Sequence, residues 1–168
     1  MTMVKYTTVD SMLLYYNDET YFNKFDALYA NGKVLNLHAE LSYRSSDKFT
    51  ATLRFDQYGY SMDQNEKAWH RPNNEMALDL NYNLWDKFIL KAAIYAGGKY
   101  YVRIQDSLGY VSQKVSGYMD ANLGIEYRYS KVLSIYINLN NLGFSRYYRW
   151  YNYPSERFNA LVGIKYAF

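Results

Sequence analysis

The closing stretch Arg157-Phe158-Asn159-Ala160-Leu161-Val162-Gly163-Ile164-Lys165-Tyr166-Ala167-Phe168 alternates without a break. Phe158, Ala160, Val162, Ile164, Tyr166 and Phe168 fall on one side, and Arg157, Asn159, Leu161, Gly163, Lys165 and Ala167 on the other. Period two over this length marks a β-strand with two unlike faces. Upstream the same test succeeds over 133–140, 118–129, 87–96, 75–84, 49–56 and 35–44. The apolar side of these seven strands has 35 positions, none charged, while 13 of the 35 opposite positions are charged. A weaker eighth stretch, about 20–30, places Tyr21, Phe25, Ala27 and Tyr29 together. It meets the next strand through Asn31-Gly32, the favoured type I′ hairpin pair. Residues 1–19 read as an N-terminal segment with at most a short extra strand near Met12–Tyr16, because Asp10 interrupts the pattern; 20–168 read as the main body. No helical period competes.

Composition narrows the class. The chain has 168 residues, one domain's worth, and no cysteine, which excludes disulfides and thiolate chemistry. Its net charge of +3 is too small and too scattered to argue for nucleic acid. No apolar run is long enough for a transmembrane helix. Met1–Tyr6 has no basic region followed by an apolar one, so no signal peptide is expected in this chain. The outlier is aromatic content, 20%, with 22 tyrosines.

The connections alternate in length. Tight turns are expected at Ser45–Lys48, Trp85-Asp86 and Ser130-Lys131, and long loops at about 62–73, 98–116 and 143–156. Short turns at one end and long loops at the other describe an up-and-down antiparallel meander, as in outer-membrane barrels. Alternation alone also suits a soluble lipocalin-like barrel with its apolar side inward. Three features favour the inverted arrangement. The polar side carries nearly balanced charge, so that carboxylates and cations can pair within a lumen. Glu40, Arg54, Asp56, Asp79, Lys91, Asp120, Glu126 and Arg128 are the candidate network, with Asp79 opposite Lys91 and Glu40 near Arg54. Aromatic residues gather near the short turns (Tyr43, Phe49, Tyr82, Trp85, Phe88, Tyr127, Tyr129, Tyr166, Phe168), as an interfacial girdle would require. The chain also ends on Phe168, with Tyr166 and Gly163 before it.

Gly163-Ile164-Lys165-Tyr166-Ala167-Phe168 resembles the C-terminal signal of bacterial outer-membrane proteins that the barrel-assembly machinery reads. Asn140-Asn141-Leu142, Tyr147 to Pro154 and the closing strand are similar to the last hairpin of TonB-dependent receptor barrels in the form common in Bacteroidota. The specific part covers about 30 residues of the chain. A full receptor of that kind has a plug domain, a TonB box and 22 strands. Here there is sequence for about eight strands and none for the other two. The resemblance implies the outer membrane, with Gly163, Tyr166 and Phe168 as the assembly signal. It does not carry over any particular cargo.

Little catalytic chemistry is in view. The two histidines, His38 and His70, are not spaced as a metal pair, no Ser or His lies on the apolar side of the seven strands, and Gly97-Gly98 reads as a strand end rather than a phosphate loop. No enzyme activity, cofactor or metal is expected. The loops are the candidate ligand surface: Trp69, His70 and Arg71; Tyr100, Tyr101 and Arg103; and Arg146, Tyr147, Tyr148, Arg149, Trp150, Tyr151 and Tyr153. Arginine interleaved with flat rings suits sugars or anionic lipopolysaccharide; an outer aromatic girdle is the alternative.

The expectation is therefore an all-β, antiparallel, up-and-down transmembrane β-barrel of about eight strands, or nine to ten, or part of a larger barrel. It is non-enzymatic, structural or binding, or part of a transport receptor. Its expected partners are the bilayer and lipopolysaccharide, the barrel-assembly machinery through the C-terminal strand, and further strands or a partner subunit, with no nucleic acid. Nutrient import as the C-terminal portion of a TonB-dependent or porin-like barrel, and a soluble ligand binder, are the alternatives.

Overall fold

The computed structural model describes residues 1–18, 21, 24–63, 66–106 and 109–168, apart from the side chains of Gln105 and Asp106. Every element is a strand: β1 (Thr2–Asn17), β2 (Phe25–Ser45), β3 (Phe49–Met62), β4 (Asn74–Leu84), β5 (Phe88–Gly97), β6 (Tyr100–Asp106), β7 (Gly109–Val115), β8 (Tyr118–Arg128), β9 (Leu133–Asn140), β10 (Tyr148–Trp150), β11 (Tyr153–Pro154) and β12 (Asn159–Tyr166). Eight form one sheet in the order β1-β2-β3-β4-β5-β8-β9-β12, and β6-β7 and β10-β11 are separate hairpins. Neighbours in the main sheet are antiparallel throughout.

The register carries the apolar stripe across the whole sheet. Leu41 faces Leu53, which faces Leu78, which faces Ile94. Leu90 faces Ile125, which faces Ile137, which faces Val162. A one-residue slip anywhere would turn a strand's apolar side chains onto the polar face, so the stripe and the pairing enforce each other. Many of these side chains stay exposed: Leu41 is 70% accessible, Val162 66% and Ile164 69%. The three short turns lie where the alternation ends. At the second, the Lys87 amide donates to the Leu84 carbonyl, with Trp85 and Asp86 at φ 54° and 57°, the left-handed pair of a type I′ turn.

Three expectations are corrected. Asn31-Gly32 is not a hairpin; both residues lie inside β2, which runs 21 residues. The extra residue sits instead in β1, where Val9 pairs with Gly32 and Met12 with Ala30. Ser11, at φ 56°, forms the resulting bulge and donates its amide to the Asn31 side chain at 2.8 Å. Asp10 thus marks a bulge in a long strand rather than a break, and residues 1–19 supply the 16-residue β1. Of the stretch 20–30, Thr20, Phe22 and Asn23 lie outside the described residues, and Phe25–Ala30 belong to β2. Second, two of the long loops hold hairpins of their own, β6-β7 and β10-β11. Third, Asp79 faces Ala93 while Lys91 faces Asn81, a two-residue offset that prevents their pairing.

The bulge also exchanges the faces of β1. Below it, Val4 and Tyr6 pair with Leu37 and Leu35 of the apolar stripe. Above it, Met12 and Leu14 share the polar side of the sheet and, with Ala30 and Trp69, form a small buried core. Contacts from the β9–β12 connection reach β1: Trp150 meets Tyr15 edge-on, with ring centroids 5.7 Å apart. The sheet therefore curls, and its connections close over one end. No β1–β12 pairing occurs among the described residues, so the sheet keeps two edges.

Candidate functional site: the long-loop end

Residues 66–73 of the β3–β4 connection fold down against the upper strands because Trp69 is apolar and 6% exposed in the core described above. The Trp69 indole donates to Glu66 at 2.6 Å, and the other Glu66 oxygen pairs with Arg103 at 3.0 Å. The Arg103 guanidinium lies over the Tyr110 ring at 3.8 Å and the Tyr16 ring at 5.0 Å. One acidic side chain thus joins two connections to β1.

His70 is the hub. Its amide donates to the Tyr101 carbonyl, and its Nδ1 lies 3.0 Å from the Tyr15 carbonyl. A carbonyl only accepts, so Nδ1 carries the proton and Nε2 keeps a lone pair, buried and without a partner. Phe25, Tyr100 and Trp150 surround the ring at centroid distances of 5.4, 5.9 and 5.1 Å. Burial holds the His70 pKa below its ordinary value, opposed by the bond to Tyr15. Tyr100, 3% exposed, donates to the Tyr148 carbonyl at 2.8 Å, and its phenol is pushed up to about 12 by burial and then by Tyr151.

The last connection leans over the polar face. Tyr147 stacks on Tyr118 at 4.5 Å and donates to Asp120 at 2.7 Å. Burial and that carboxylate push its phenol up to about 12. Arg149 donates to the Tyr118 hydroxyl at 3.4 Å, and this contact raises the guanidinium's already high pKa. Tyr151 donates to Gln113 of β7. At the base, Asn141 (φ 51°, 3% exposed) donates to the Ser145 and Glu156 carbonyls and accepts from the Ser145 amide and hydroxyl.

The structure thus divides the sequence candidates. Trp69, His70, Arg103, Tyr100, Tyr147 and Tyr148 build the cap. Arg71, Tyr101, Arg146, Arg149, Trp150 and Tyr153 keep exposed surface. Beside the cap lies a cavity of about 390 Å³ whose wall includes Tyr58, Tyr60, Lys67, Arg71, Lys99 and Lys114. Tyr58 and Tyr60 stack at 5.9 Å, and Lys67 sits 4.1 Å above the Tyr101 ring while donating to Ser112. Its acidic member, Glu66, is already engaged. Four cations beside tyrosine hydroxyls suit an anion. Sequence reading missed Tyr58, Tyr60, Lys67 and Lys114; the alternation of β3, extended past 56, places Tyr58 and Tyr60 on the polar side, but only folding brings the lysines there.

Lower on the polar face, Arg54 pairs with Asp79, which also accepts from Tyr95; Lys165 pairs with Glu126 at 2.6 Å; and His38 Nδ1 lies 2.9 Å from Asp56. Glu40 faces Arg54 in register but accepts instead from Ser42. Among the described residues, no group of three His, Cys, Asp or Glu is arranged to hold a metal ion.

No protein-family model matches the sequence, and no curated protein is similar to it at a significant level. Solved structures do resemble its fold. The ferric-catecholate import receptor Fiu from Escherichia coli K12 superposes with a TM-score of 0.77 at 14% identity, over 99% of this chain and 25% of that one. The pyoverdine outer-membrane receptor FpvA from Pseudomonas aeruginosa PAO1 gives 0.75 at 16%, over 99% and 27%. The copper transporter OprC gives 0.72 at 12%, over 99% and 28%. The chain thus has the fold of part of an outer-membrane receptor barrel and spans about a quarter of the length of these receptors.

Proposed function

We propose that this chain is an outer-membrane β-barrel segment of a transport receptor, with the apolar stripe against lipid and the polar face turned to the lumen. The observation that carries this reading is the apolar stripe, kept in register across eight strands and free of charge at the positions read from the sequence, on a sheet with two unpaired edges. Backbone groups of an open edge find no partner in hydrocarbon, so β1 and β12 take further strands of a wider barrel. Barrels of about 22 strands enclose a lumen wide enough to need a plug, whereas eight close tightly around their own side chains. The ring contacts Tyr43–Phe49–Tyr82 and Phe88–Tyr127 near the short turns form the interfacial girdle. Gly163, Tyr166 and Phe168 present the assembly signal. The cationic, tyrosine-walled cavity takes an anionic ligand at the outer mouth, Arg146, Arg149 and Trp150 add exposed cationic and aromatic surface on the last connection, and the resemblance to Bacteroidota receptors bears on the source.

Refolding into detergent, with a detergent-free control and migration compared before and after boiling, tests the membrane assignment. A β-rich species formed only in detergent supports it. A folded, monodisperse species without detergent overturns it in favour of the soluble binder. Replacing Arg71 and Lys99 with Gln lowers affinity for an anionic cargo and leaves folding unchanged.

A further inference from the structure

The polar face is balanced in total charge but not along the strands. The pairing defines rows that run across the sheet. Nearest the short turns are Lys87, Arg128, Ser134 and Lys165; then Asn83, Ile89, Glu126, Tyr136 and Gly163; then Arg44, Thr50, Asn81, Lys91 and Gly124. These three rows hold five cations and one carboxylate, Glu126, which Lys165 and Ser134 already occupy. The next three rows contain Asp79, then Glu40, Arg54 and Asp120, then Asp56 and Glu75. They hold five carboxylates and one cation, with His38 counted neutral. Lys87, Arg128 and Lys165 line a cavity of about 730 Å³, whose wall also holds Lys131 and Asp86 from the turns, the latter accepting from Asn83; Lys91 lines an adjoining cavity of about 280 Å³, and Arg44 lies outside both.

We infer that the short-turn mouth of this wall is a docking surface for an acidic polypeptide segment. The inference rests on the lumenal assignment of the polar face. Four lower cations have no carboxylate bound to them among the described residues: Lys87 and Arg128 in the first row, Arg44 and Lys91 in the third. Lys87, Arg128 and Lys91 line the adjoining cavities, so a segment rich in Asp and Glu lying there meets these three together. The carboxylate rows above repel the same segment and stop it from moving further up. Low-dielectric walls focus the field of charges in a concavity, which favours a partner entering from this end over one entering from the loops.

The test uses the full chain folded in zwitterionic detergent micelles and a fluorescent oligoglutamate peptide as probe. Binding is expected at about 0.05 M salt and should weaken tenfold or more at about 0.5 M, where the Debye length has shrunk to a few ångströms. The K87E/R128E double variant should lose about tenfold in affinity, and E75Q/D79N should not. If K87E/R128E fails to fold by circular dichroism, K131E on the exposed turn replaces it, with a smaller loss in the same direction. No binding to folded wild type, or equal binding to the charge-reversed variant, overturns the inference. So does displacement of the peptide by phosphatidylglycerol added to the micelles, which would reassign the band to lipid headgroups. Folding without detergent would instead overturn the membrane assignment, a separate result.

Discussion

Gly163 faces Tyr136 directly across the β9–β12 pair. A Cβ built on Gly163 would come within 3 Å of the Tyr136 Oη, Cζ and Cε1 atoms. Ordinary carbon contacts are about 3.5–4.0 Å, so the ring in a Gly163→Ala variant must swing outward by about 1 Å. That movement uncovers the strand and carries the ring away from the Lys165 ammonium, now 5.4 Å from its centroid. Overpacking of this kind costs about 1–3 kcal/mol, or roughly a fivefold to hundredfold fall in the folding equilibrium constant. The same substitution in a Tyr136→Ala background meets open space. There it should stabilise by about 0.5–1 kcal/mol, because glycine inside a strand is penalised relative to alanine. Urea titration of both pairs in micelles, followed by tryptophan fluorescence, reads the double-mutant cycle. The expected signature is a change of sign between backgrounds. Destabilisation of equal size in both would refute the claim that Gly163 is there to seat the Tyr136 ring.

Asn141→Ala removes a left-handed residue together with four side-chain hydrogen bonds, and should destabilise the last connection by about 2–4 kcal/mol; Asn141→Gly, which keeps only the backbone freedom, should recover a minor part, read by hydrogen exchange across 141–156. His70 has a lowered folded pKa, so its neutral form is favoured in the packed cap. Its contribution is complete above about pH 6.5 and declines as pH falls from there through the lowered folded value; protease protection of the loops should drop between pH 8 and pH 5 (about), and His70→Phe should flatten that dependence. Tyr147→Phe removes the donor that satisfies one oxygen of Asp120, whose other oxygen is already buried without a partner; a loss of about 1–3 kcal/mol is expected, with weaker stacking fluorescence from the last connection.

The strands were legible because their period is two and their apolar side tolerates no charge. Pairing then follows from adjacency, and seven strands fall where the alternation places them. What was not legible has a common cause. Asn31-Gly32 has the composition of a hairpin, yet a long strand also accommodates it when its neighbour bulges. Local sequence cannot register a residue inserted on the other side of the pair. The Asp79–Lys91 expectation failed by two positions because Leu84 pairs with Phe88 across a three-residue turn, which sets Asp79 against Ala93. Of the ligand candidates, residue type identified the aromatic loops but not their orientation. Trp69, His70 and Tyr100 read as contact residues and proved to be the interior of a cap, because nothing in their spacing shows that two connections and β1 converge there.

The bulge at Ser11 makes β1 answer to two sets of constraints. Below it, each side chain on the stripe is tied to the apolar wall and to a register shared by the whole sheet. Above it, the same strand is the floor of a small globular core whose contents come from the connections. A change in the cap at Leu14 or Trp69 therefore leaves the register of the wall intact, and a change at Val4 or Tyr6 leaves the cap alone. One inserted residue separates the part of the chain that can vary with its connections from the part that must go on fitting the sheet.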